Sequence, residues 1–224
     1  MKKYELTKET KVIGDKTFFR IRALRSFGDI KAGDLGGFIE NERNLSHGGN
    51  AWVGDNAKVG GNAQVCGNAQ VSGDAWVNGD AWVEDNARVD GYAWVGCHAR
   101  VGGDAQVGDN AWVGDNAKVG GYAWVVGNAQ VCGDAWVNGD AWVNGDGLIN
   151  SNNDYLCEKG LGSHNRSASF FKCKDGHIHV LCGCFNGNLD EFENKVKEEH
   201  GNSKYAKEYL GFIEVVKTHF EVRQ

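Results

Sequence analysis

The chain has 224 residues, with 24 Lys and Arg against 30 Asp and Glu for a formal net charge of −6, and it contains no proline. That length suits one domain or two. The lack of an apolar run near about 18 residues argues against a transmembrane helix, and the polar start Met1-Lys2-Lys3-Tyr4-Glu5 argues against a secretory leader. Seven cysteines, odd in number and irregular in spacing, frame neither a disulfide scaffold nor a pair of C-x-x-C motifs, so a reducing cytoplasm is expected.

Residues 1–46 form the first segment. Lys11-Val12-Ile13 and Thr17 to Ala23 predict two strands turning at Gly14-Asp15, a hairpin signal. Such a β unit is expected to cap the open end of whatever follows. Between Ile39, Leu45 and Val53 the apolar step is six and then eight, which predicts a two-residue insertion at the first corner.

Residues 47–150 are governed by one period. A valine stands at every sixth position from Val53 to Val143, preceded two residues earlier by an alanine, in units such as Val71-Ser72-Gly73-Asp74-Ala75-Trp76. Residues six apart on an α-helix lie about 240° apart, so the valines would form no stripe. In a strand Ala-x-Val places both small residues on one face, and the intervening Gly, Asp and Asn supply a turn. The period therefore predicts a solenoid of short strands whose core is the stack itself. These units resemble the hexapeptide-repeat family. The resemblance implies a left-handed parallel β-helix with three strands per coil, frequent trimers, and acyl-CoA-dependent acyltransferase activity in many members.

Stacking at eighteen residues per coil gives columns of outward side chains. One reads Lys58, Trp76, Trp94, Trp112, Gln130; a second ends in Trp124 and Trp142; a third holds Trp82 and Trp136 separated by Arg100 and Lys118. All eight tryptophans fall between inward alanine and inward valine, hence outward. The ladder reads as a subunit interface, as cross-strand stacking, or as a platform for a carbohydrate or aromatic ligand. Corner columns mix Asn and Asp, which limits like-charge stacking and leaves a calcium reading open. This segment carries 4 basic and 12 acidic groups, a balance that argues against nucleic acid.

Residues 151–224 form the third segment. Phe170 to Cys182 predicts a hairpin around Asp175-Gly176. Asn188 with Glu191 predicts a helix start with Leu189, Phe192 and Val196 on one face and a stop at Gly201, and a second helix is expected from about Ser203 to Phe220. Gly162-Ser163-His164-Asn165, Cys182-Gly183-Cys184-Phe185 and Leu189-Asp190-Glu191-Phe192 resemble a C-terminal module found on hexapeptide-repeat proteins of bacteriophages and gut bacteria, which implies a phage or prophage context.

Candidate chemistry is sparse. The resemblance implies a histidine base, and within the array only His98 is available, one coil from Asp80, where it also reads as a corner substitution. The loop that many such acyltransferases extrude from their coils has no counterpart, because the hexads run unbroken. Ser163, His164, Asn165 and Arg166 form a Gly-rich segment able to hold an anion. His177 and His179 share a strand face with Cys173, Cys182 and Cys184 nearby, but the spacing matches no common zinc pattern and no metal is assigned. The expectation is a non-catalytic homo-oligomeric scaffold that uses Trp76, Trp94, Trp112, Trp124 and Trp142 as an interaction face and needs no cofactor. Acyl transfer through His98 with acyl-CoA, and capture of a nucleotide-like ligand at subunit grooves or beside Arg166, are the alternatives.

Overall fold

The computed structural model describes residues 2–221; Met1 and residues 222–224, the outer ends of the first and third segments, lie outside the described residues. The molecule is mainly β, a solenoid of about six turns closed at each end by a sheet.

Strands β1 (Tyr4–Ile13) and β2 (Lys16–Ala23) form the expected hairpin, with Gly14 in the left-handed region at φ +63°. β2 pairs antiparallel with β3 (Leu35–Ile39), and β3 pairs parallel with Lys58–Val59, so hairpin and solenoid share one nine-stranded sheet. The first coil thus begins at Leu35, inside the segment assigned to the cap. Gly36 and Gly37 permit the junction: a Cβ on either would lie 2.5 Å from the Val53 carbonyl oxygen or 2.6 Å from that of Ala57. Ile39 aligns with Val59, Leu45 with Val65 and Val53 with Val71, which places the two extra residues between Leu45 and Val53.

Strands β4 to β19 are sixteen two-residue strands running from Trp52–Val53 to Trp142–Val143, followed by β20 (Leu148–Ile149). They stack into three parallel sheets whose partners lie eighteen residues apart, as in Trp76, Trp94 and Trp112. Every valine of the series and its alanine point inward and are buried. Backbone bonds link coil to coil: Trp94 N–H donates to Ala111 O and Gly96 N–H to Val113 O, both at 2.9 Å. At each corner one residue adopts positive φ, either Gly or one of Asp55, Asp85, Cys97, Asp109 and Asp115. The four aspartates are not passive turn formers. Each carboxylate accepts the backbone N–H of a glycine one coil on, Asp85 from Gly103 at 2.9 Å and Asp115 from Gly133 at 3.0 Å.

The C-terminal sheet holds β21 (Tyr155–Leu161), β22 (Arg166–Lys172), β23 (Ile178–Cys182) and β24 (Phe185–Asn188), antiparallel in chain order. The outer two strands were not foreseen from sequence. Alternation gives this sheet two apolar faces. Phe171, Cys173 and Leu181 join the valine core and close the end of the solenoid, whereas Ala168, Phe170 and Val180 meet the helices. Gly147 stands in place of the usual alanine, where a Cβ would sit 2.7 Å from Val143 Cγ1 and 3.1 Å from the Phe171 ring. Helix α1 (Leu189–His200) starts on the Asn188–Glu191 capping box and ends at Gly201, as expected. The helical spacing of Tyr205, Tyr209, Phe212, Val216 and Phe220 predicts one apolar face for helix α2 (Lys204–His219), but the helix buries Ala206, Tyr209, Ile213 and Val216, a face turned slightly from it, so Tyr205 and Phe212 are only half-buried.

Candidate functional site

The Trp columns fall in the predicted register, but their exposure varies from ring to ring. Trp52 is 4% exposed: it points outward, yet Phe27 from the loop after β2 packs on it edge to face at 5.5 Å. The expectation that all eight indoles face solvent fails there, because a segment remote in sequence folds over the first coil. Trp94 and Trp112 lie down over Gly96 and Gly114, two residues on, and their rings meet at 5.2 Å. A Cβ at Gly96 would fall 2.5 Å from the Trp94 ring, so Trp-Val-Gly yields a half-buried indole. The ring stands off where Glu84, Val126, Asn138 or Asn144 follows the valine, and Trp124, Trp136 and Trp142 are 45%, 51% and 41% exposed, whereas Trp76, also followed by Asn but aligned with Trp94 in the next coil, is half-buried.

These three, with the exposed Tyr122, lie on two of the three faces of the last coils, whose remaining face carries Gln130 and Leu148. Trp124 and Trp142 meet edge to face at 6.2 Å, and together with Tyr122, Asp140 and Ala141 they line an open hollow of about 330 Å³. On the third face Arg100 lies over Trp82 and Lys118 over Trp136, each 6.0 Å from the ring centre.

His98 is a surface side chain whose Nδ1 lies 3.4 Å from Asp80 Oδ2. Its column explains the residue. Asn62 donates to Asp80 at 2.8 Å and Asn116 to Asp134 at 3.0 Å, so His98 occupies one step of a donor–acceptor ladder linking successive corners. Similar bonds run along the other corners, Asn86 donating to Asp104 at 3.1 Å and Asn110 to Asn128 at 3.3 Å, which accounts for the mixture of Asn and Asp there.

The four residues of the expected anion loop are not brought together. Ser163, His164 and Asn165 form the turn between β21 and β22, where Ser163 Oγ and His164 Nδ1 contact each other at 2.9 Å. Arg166 turns away to lie against Gly183, on the wall of a pocket of about 200 Å³ shared with Cys182, Lys195, Glu199 and Tyr209. Burial pushes the Tyr209 hydroxyl up to about 12, with Cys182 beside it adding to the effect.

The hairpin between β22 and β23 does assemble a cluster. Cys173, His177 and His179 place their ligand atoms within 4.8 Å of one another, whereas Cys182 and Cys184 lie with the Arg166 pocket. Burial pushes the Cys173 thiol up to about 11, with Asp175 and Asp146 adding to the effect. The sequence signal was present in Cys-x-x-x-His-x-His, but sequence does not tell which of the nearby cysteines joins the histidines. Cross-strand pairing decides that.

With period, register and three faces established, the chain is a parallel β-solenoid repeat protein. A family model described as the YdcK beta solenoid repeat matches residues 63–79, 69–84 and 129–145, all within the hexad array. A search of curated proteins found no match. Among the described residues no helix is long and apolar enough to cross a membrane.

Proposed function

We propose that this chain is a non-catalytic scaffold that self-associates, as a trimer, through the aromatic surface of its solenoid, while its C-terminal module presents a binding surface. One observation carries the reading. Trp124, Trp136 and Trp142 remain exposed after the chain has folded, although each indole can bury on the order of 200 Å². Subunits meeting along these faces would remove that surface from water. Light scattering at micromolar concentration is expected to give a trimer mass, and Trp124→Asp with Trp142→Asp to give a monomer of unchanged circular dichroism; a monomeric unsubstituted chain would refute the proposal.

This scaffold would act in a reducing cytoplasm and be of phage or prophage origin; its seven free cysteines support the first point. Two alternatives each have one supporting observation. The His98–Asp80 contact supports acyl transfer from acyl-CoA, which His98→Ala would abolish. The Arg166 pocket supports capture of an anionic, nucleotide-like ligand, which a thermal shift would reveal, since a ligand at 100 Kd adds about 2.7 kcal/mol.

A further inference from the structure

The turn joining β22 to β23 is held by two backbone bonds, Cys173 N–H to His177 O and Gly176 N–H to Cys173 O, both 2.9 Å. These set Cys173 directly across from His177, and the two-residue step of β23 brings His179 to the same side. His177 Nε2 and His179 Nδ1 then stand 3.3 Å apart. Two nitrogens bound to one tetrahedral zinc ion at about 2.0–2.1 Å are separated by about 3.3 Å.

The outer nitrogens are both engaged. His177 Nδ1 lies 2.5 Å from Asp175 Oδ1, and His179 Nε2 lies 2.6 Å from Asn186 Oδ1. An N–H donated to each of these oxygens leaves the inner nitrogens as two facing lone pairs with no proton between them. A cation between the rings removes that repulsion, and oxygen acceptors on the far nitrogens are how metal-binding imidazoles are oriented. The competing metal-free arrangement turns the Asn186 amide round and places one proton between the rings.

We propose that Cys173, His177 and His179 bind one zinc ion, with water in the fourth position. Two imidazoles and a soft thiolate suit zinc over magnesium or calcium. Cys173 is buried on the solenoid side and His177 is exposed, so the ion would have protein on one side and solvent on the other. The thiol reaches a bonding distance by side-chain shifts of about 1 Å. Binding would also fasten the end sheet, because this turn bonds to the last coil through Lys174 N–H to Asp146 O at 3.1 Å and through the Gly147–Cys173 bridge.

The test uses the reduced full chain, stripped with a chelator and titrated with zinc against a chromophoric competitor, and with cobalt(II) as an optical reporter. One metal per chain is expected, with a tetrahedral cobalt spectrum and a thiolate charge-transfer band. His177→Ala should abolish stoichiometric binding, Asp175→Asn should weaken it roughly 10–100-fold, and Cys173→Ser should remove the charge-transfer band. His98→Ala and Cys184→Ser should change nothing. Absence of stoichiometric binding by the unsubstituted chain overturns the proposal, as does binding retained in His177→Ala. His177 is on the surface, so the second outcome stays decisive even if Cys173→Ser does not fold.

Discussion

Substitution of Val95 by Asp tests the inward assignment at the middle of the stack. Val95 is fully buried between Val77 and Val113 of the adjoining coils. Losing its apolar contribution costs about 1.5–3 kcal/mol, and a carboxylate without a partner in that core costs several kcal/mol more. A total near 5–8 kcal/mol is comparable to the whole stability of many domains, about 5–15 kcal/mol. At roughly 2–4 °C per kcal/mol for a chain of this size, the melting point should fall by about 10–30 °C. Gln106→Ala, on an outward side chain between Arg88 and Trp124, should stay within about 0.5 kcal/mol. Thermal melts followed by far-ultraviolet circular dichroism compare the two. The charge can be separated from the lost packing by pH. A buried Asp has its pKa raised above the unfolded value of about 3.9, so the folded state binds the extra proton and the deficit of Val95→Asp should shrink as pH falls toward 4. Equal melting points for the two variants would refute the reasoning.

Asp85→Ala removes the acceptor for Gly103 N–H and leaves an alanine at φ +57°, so a loss of about 1–3 kcal/mol is expected in a denaturant titration, against no more than about 0.5 kcal/mol for Asp74→Ala at an exposed corner position. The N-terminal cap should have a stability optimum in alkali. Lys3 is buried with its Nζ donating to Ala51 O at 2.7 Å, and burial, with Arg25 nearby, lowers its pKa to about 8 from 10.5. Between those values the unfolded chain binds more protons, so stability rises with pH. The Tyr4 hydroxyl donates to Glu42 O and Leu45 O, and burial, aided by Glu42, raises its pKa above the ordinary value near 10, so stability falls as pH climbs beyond that. Denaturation midpoints measured from pH 7 to 11 should pass through a maximum, and Lys3→Met should flatten the rising limb.

The helix start at Asn188 was legible because a capping box is made by residues three apart, and the hairpin turns at Gly14 and Gly176 because positive φ is a property of single residues. The face of α2 was only partly legible, since which side of an amphipathic helix is covered depends on the sheet beneath it. Strands β21 and β24 carry weak alternation of their own and exist as strands because Arg166–Lys172 and Ile178–Cys182 offer them edges. The Ser163–Arg166 segment misled for a related reason. Its residues adjoin in sequence, but the hairpin exposes the turn while Arg166, already in the strand, lies against Gly183.

By itself the sequence determined the solenoid: a strict six-residue step of valine and alanine admits a strand and a turn but no helix, and it brings Trp76, Trp94 and Trp112 into register whatever lies at the two ends. Tertiary structure decided which of those indoles remain available and which reactive side chains converge. Phe27 covers Trp52, and Cys173 rather than Cys182 or Cys184 joins His177 and His179. Register follows from backbone periodicity, which is local and repeats. Coverage and convergence arise when segments far apart in the chain are folded onto one another, and periodicity carries no record of that.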